Sequence, residues 1–129
     1  MSQDKTESHP WPVEVHLKRV EKVLEIVFDD GTRIACSAEY LRVESPSAEV
    51  QGHGPGQKQI VAGRREVGIL DIETVGHYAI RIKFDDLHDT GIYSWQYLYE
   101  LGKDHDRIWQ EYLAALAARG LSRDPRGGG

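Results

Sequence analysis

Leu24, Ile26 and Phe28 alternate with Glu25 and Val27, the period-2 pattern of a strand with one buried face. Asp29-Asp30-Gly31 follows and predicts a hairpin turn, because Asp and Gly tolerate the positive φ that tight turns need. Residues 32–36 then read as the returning strand. The same order recurs further along. Phe28-Asp29-Asp30 comes back as Phe84-Asp85-Asp86, and Ser37-x-x-Tyr40-Leu41 as Ser94-x-x-Tyr97-Leu98, 56 and 57 positions later. In the second copy, residues 67–74 and 78–84 form one hairpin through Val75-Gly76-His77, and 78–84 pairs onward with 90–93 across the acidic turn 85–89. Connections this short cannot make parallel crossovers. The pattern therefore predicts about five strands in a twisted, mainly antiparallel sheet, built from two related strand-turn-strand-helix units.

The last element reads as a helix. From Asp104 onward, Ile108, Trp109, Tyr112, Leu113 and Leu116 recur at spacings of three and four, and Gly120 supplies a stop. The fold class is thus α+β, with this C-terminal helix packed on the sheet. The polar flanks, residues 1–11 and 121–129, read as a disordered leader and tail, leaving 12–103 as the repeat domain and 104–120 as the helix. The 129 residues suit a single core.

Charge narrows the range of functions. With 16 Lys and Arg against 21 Asp and Glu, the formal charge is −5, which argues against a nucleic-acid partner, because such affinity depends on neutralising phosphates. No stretch is apolar enough to span a membrane and no signal-like segment stands at the N-terminus. The single Cys36 has no disulfide partner within the chain and reads as a small buried hydrophobe. A soluble, unprocessed, cytoplasmic protein is expected.

Candidate chemistry is sparse. The glycine-dense segment 52–56 lacks the G-K-[ST] and the helix that a phosphate loop requires, and reads as a flexible connection in which His53 and Lys58 are candidates to touch a partner. Arg64, Arg65 and Trp109 are further interaction candidates. Asp85, Asp86, His88 and Asp89 gather four oxygen or nitrogen donors in five residues, but the EF-hand pattern is missing, so they are weak metal candidates in a solvated turn. No G-x-S-x-G elbow exposes a serine. No histidine opens an H-x-[DE] run, the core of a two-His-one-carboxylate iron site.

The spans 23–32 (VLEIVFDDGT), 40–42 (YLR), 67–69 (VGI) and 84–98 (FDD-x-H-x-x-GIYSW-x-YL) resemble the gamma-butyrobetaine hydroxylase-like N-terminal domain family across about residues 12–102. The resemblance implies an accessory domain, which in fused relatives precedes an Fe(II)/2-oxoglutarate oxygenase or follows an iron-sulfur carrier ATPase. It further implies a structural zinc held by a C-x-C-x-x-C run after the L-R motif and by a histidine of the second repeat. Here the three cysteine positions are Ser45, Ser47 and Val50, and only His88 matches. No zinc and no other cofactor is therefore expected. The leading expectation is a noncatalytic binding or adaptor domain acting through a protein partner, in metal or iron-sulfur metabolism by analogy. The alternative is a metal-binding accessory or regulatory domain centred on His88.

Overall fold

The computed structural model describes residues 9–52, 54 and 56–125. The class is α+β, and the two copies are two separate three-stranded antiparallel meanders. The first holds β1 (Pro12–Lys18), β2 (Val23–Phe28) and β3 (Arg33–Ser37); the second holds β4 (Ile69–Val75), β5 (Ala79–Phe84) and β6 (Ile92–Ser94). Each passes directly into a helix: α1 (Ala38–Val43) after β3 and α3 (Trp95–Lys103) after β6. A one-turn helix α2 (Ala48–Gln51) follows α1, and α4 (His105–Ala118) closes the order.

The repeat extends into the details of the backbone. β1 and β4 carry the same register shift against their partners, between Pro12 and Glu14 and between Ile69 and Asp71. Ser37 and Ser94 cap α1 and α3, each accepting from the N–H three residues on, that of Tyr40 and of Tyr97, which satisfies an otherwise orphan donor of the first turn. The two tyrosines then reach across the molecule. Tyr40 donates to the Leu101 carbonyl of α3 (2.6 Å), and Tyr97 donates to the Glu44 carbonyl beyond α1 (2.5 Å). Each half thus fastens its helix to the equivalent position of the other.

Between the halves lies one core of Leu24, Ile26, Phe28, Tyr40, Leu41, Ile80, Ile82, Phe84, Tyr93 and Leu98, all essentially inaccessible. α4 covers a smaller cluster with Val43, Tyr112 and Leu116.

Two local expectations change, at β1 and at the tail, and the structure also places Trp95. β1 adds a sixth strand, and its signal is the alternation of Val13, Val15 and Leu17 with Glu14, His16 and Lys18. Residues 122–125 do not hang free as a tail: Gly63 N–H donates to the Ser122 carbonyl and Arg65 N–H to the Arg123 carbonyl, both at 2.9 Å. Trp95 is only half-buried, packed at the edge of the core with its indole N–H on the His77 carbonyl.

Candidate functional site

The two acidic turns are built alike and furnished differently. In the first, the Asp30 carboxylate accepts from the Thr32 N–H (2.9 Å) and the Tyr99 hydroxyl (2.7 Å). In the second, Asp86 accepts from the His88 N–H (3.1 Å) and from the guanidinium Nε of both Arg42 (2.8 Å) and Arg64 (2.7 Å). His88 occupies the position of Thr32, and Arg42 that of Tyr99, in the repeat. An exposed neutral contact on one side corresponds to a half-buried charged one on the other. Burial alone would raise the Asp86 carboxyl, yet the His88 N–H and the Arg42 guanidinium outweigh it and hold the acid below its ordinary value.

His88 is the centre of this corner, with a side chain 2 % exposed. Its Nε2 lies 2.9 Å from Ser45 Oγ, and its Nδ1 lies 3.0 Å from Glu49 Oε1. Ser45 Oγ also accepts the Ser47 N–H, Ser47 Oγ accepts the Glu49 N–H, and the Ser47 and Thr90 hydroxyls meet at 2.8 Å. Burial, followed by the nearby Arg42 charge, pushes the His88 pKa down, with Glu49 opposing. The ring is therefore neutral at pH 7 and fully engaged in hydrogen bonds.

Serine, imidazole and carboxylate stand here in the order of a hydrolase relay, but the geometry of access is the opposite of a reactive site. Ser45 is 0 % exposed, and a Cβ placed on Gly91 would overlap its Oγ. None of the five best-formed clefts among the described residues is lined by Ser45 or His88. A nucleophile must present its oxygen to a reacting carbon at about 3 Å. Ser45 instead knots the loop after α1 to the second turn.

The positions implied as zinc ligands do converge in part. Ser45 and His88 touch, Ser47 sits beside them on Thr90, and Val50 is buried on α2. Among the described residues no three His, Cys, Asp or Glu side chains come together as a ligand set. Asp85 and Asp89 are exposed, and Asp86 is committed to the two arginines. Cys36 lies on β3, buried, its thiol pushed up to about 12 by desolvation, so it offers neither a ligand nor a nucleophile.

The interaction candidates separate. Lys58 pairs with the buried Glu44 at 2.7 Å, and Arg64 is part of the Asp86 corner. Arg65 meets Asp124, and Trp109 is half-buried between Tyr40 and Tyr112 with the Arg123 guanidinium over its ring. His53 lies outside the described residues. Sequence reasoning missed Glu39, Arg42, Ser45 as a hydrogen-bonding partner, and Glu49. The i, i+2 and i+4 spacing of Ser45, Ser47 and Glu49 after a helix was the available signal, but their partner His88 is remote in sequence.

The family model described as gamma-butyrobetaine hydroxylase-like, N-terminal, matches residues 15–99. Two solution structures determined by NMR are similar throughout: one at 42% identity with a TM-score of 0.80, covering 92% of this chain and 93% of that one, the other at 45% identity and 0.78, covering 92% and 89%. A crystal structure of a protein of unknown function of the DUF971 family from Acidithiobacillus ferrooxidans is 36% identical with a TM-score of 0.60, covering 70% of this chain and 91% of that one. Among curated proteins none matches. With the repeat, the reciprocal tyrosines and a family match spanning about two-thirds of its length, the chain belongs to the gamma-butyrobetaine hydroxylase-like N-terminal family.

Proposed function

We propose that this chain is a noncatalytic binding module that acts through a protein partner in the cytoplasm. The observation that supports it best is the burial of Ser45 against His88: this nucleophile-and-base pair is sealed and spent on holding a loop. Binding surface is available elsewhere. Lys58 and Arg65 keep more than a third of their side chains in solvent, and no described helix is long and apolar enough to cross a membrane. Service in metal or iron-sulfur metabolism rests on family analogy alone. The metal-centred alternative has less support, because both His88 ring nitrogens are already taken, by Ser45 and Glu49.

Affinity capture followed by mass spectrometry tests this reading. Wild-type chain should retain a partner in stoichiometric yield, and Lys58→Ala with Arg65→Ala should lose it. Substrate turnover that vanishes in both Ser45→Ala and His88→Asn chains would contradict it.

A further inference from the structure

Residues 122–125 are seated in a groove whose chemistry is unusually explicit. Glu39, on α1, is 5 % exposed, and its two carboxylate oxygens receive Arg123 through Nε (2.8 Å) and Nη2 (2.6 Å). The same guanidinium lies 5.1 Å from the centre of the Trp109 ring on α4. Two backbone donors complete the seat: Gly63 N–H bonds the Ser122 carbonyl and Arg65 N–H the Arg123 carbonyl. The bend that follows is fixed by Ser122 Oγ accepting the Asp124 N–H, while the Asp124 carboxylate meets Arg65 at 2.5 Å.

A buried carboxylate, an aromatic face and two aimed N–H groups are the elements of a guanidinium pocket on a peptide-binding groove. The forked pairing suits arginine and not lysine, because only a planar guanidinium can present two parallel N–H donors to one carboxylate while stacking on a ring. In the related position of the other half, Gln96 replaces Glu39 and is exposed, so the pocket is particular to the first half and is not a by-product of the repeat.

We propose that this groove, formed by Glu39, Trp109 and the 63–65 backbone, is a recognition site for an arginine-bearing segment of a protein partner, and that Ser122–Pro125 is its resident occupant. The partner's arginine would replace Arg123 on Glu39, releasing the segment. This deepens the binding-module reading and rests on it, since a tethered occupant competes with an incoming one through its high local concentration.

The test uses the full-length Arg123→Ala chain and a synthetic peptide of sequence LSRDP, followed by amide and indole NMR shifts. Binding should be saturable, with shifts at Gly63, Arg65 and the Trp109 indole. The wild-type chain should bind the same peptide about tenfold more weakly, because its own segment fills the site most of the time. The peptide with Ala for Arg, and the chain with Glu39→Gln added, should show no binding. Arg123→Lys provides a second folded background should the alanine chain lose native dispersion. Absence of saturable binding in a folded background, or shifts that map elsewhere, would reduce the contact to an internal clamp and overturn the proposal. A captured partner that a Glu39→Gln chain still retains would leave the binding module standing and remove this groove from it.

Discussion

The two halves of this molecule share a backbone and differ in what fills the corner between turn and helix. Around Asp30 the corner is neutral and exposed, Thr32 and Tyr99 being the donors. Around Asp86 the donors are Arg42, Arg64 and the backbone of a buried histidine. The packing is inverted as well. In one pairing Gly102 on α3 lies beneath Ile34 of β3; in the other, the glycine is Gly91 before β6, and Ser45 after α1 fills the space it leaves. A duplicated frame can thus diverge at its corners while the reciprocal Tyr40 and Tyr97 bonds keep the halves in register.

The largest expected consequence lies at Asp86. Asp86→Ala strips the counter-charge from Arg42, whose side chain is 10 % exposed and whose Nη1 already lacks a partner. Removing one member of a buried pair costs about 3 to 5 kcal/mol, so denaturant melts should show a loss near the lower figure. Asp30→Ala, in the exposed corner, should cost a small fraction of that. Equal losses would abolish the distinction between the corners.

Next come the glycines. A Cβ on Gly102 would overlap Ile34, and one on Gly91 would overlap Ser45, and overpacking of this kind costs about 1 to 3 kcal/mol. Gly102→Ala should be partly rescued by Ile34→Ala, which removes the overlapping Cγ2, and Gly91→Ala by Ser45→Gly, in double-mutant cycles. Additive losses in both would show that the contacts relax freely.

A smaller effect depends on pH. His88 is held neutral when folded, its pKa depressed, so the unfolded chain binds its proton first as pH falls. The stability tied to His88 is full above about 6.5 and declines below it, by at most about 1.4 kcal/mol per pH unit. His88→Thr, which installs the residue of the other half, removes this contribution, so the wild-type-minus-variant stability should fall between pH 7 and 5. A difference that instead grows toward acid in favour of the wild type would mean the folded histidine is protonated.

The smallest effect concerns Leu87, at φ +74 and 82 % exposed, where the first half has Gly31 at φ +87. A left-handed conformation costs an L-residue about 1 to 2 kcal/mol. Leu87→Gly should raise stability by about 1 kcal/mol after the entropy glycine adds to the unfolded chain.

Much of the frame was legible in the sequence because its signals are local. Phe28-Asp29-Asp30 and Phe84-Asp85-Asp86 mark the turns, Ser37 and Ser94 mark the helix starts, and the spacing from Ile108 to Leu116 marks α4. What escaped is set by remote partners. Nothing near Tyr40 says that its hydroxyl ends on Leu101, and nothing near Ser122 says that it docks beside Gly63. Two meanders cannot be told from one sheet by alternation, since the period is the same whether or not β3 meets β4. The site was legible only in outline: aligning Ser45 and Ser47 with lost ligands placed them near His88, while the roles of Arg42, Glu39 and Glu49 depend on charges brought together by the fold.

The central claim is that the Ser45–His88–Glu49 hydrogen bonds hold the second corner where a zinc ion is implied in relatives. Serine hydroxyls at neutral pH are poor zinc ligands, so the fold's stability should owe nothing to metal. Thermal melting of the purified, untagged chain with and without a strong chelator, alongside elemental analysis, tests this directly. The account predicts the same melting temperature in both and far less than one equivalent of zinc. One full equivalent, with unfolding when it is stripped, would contradict it, since metal-binding energy would then be folding energy.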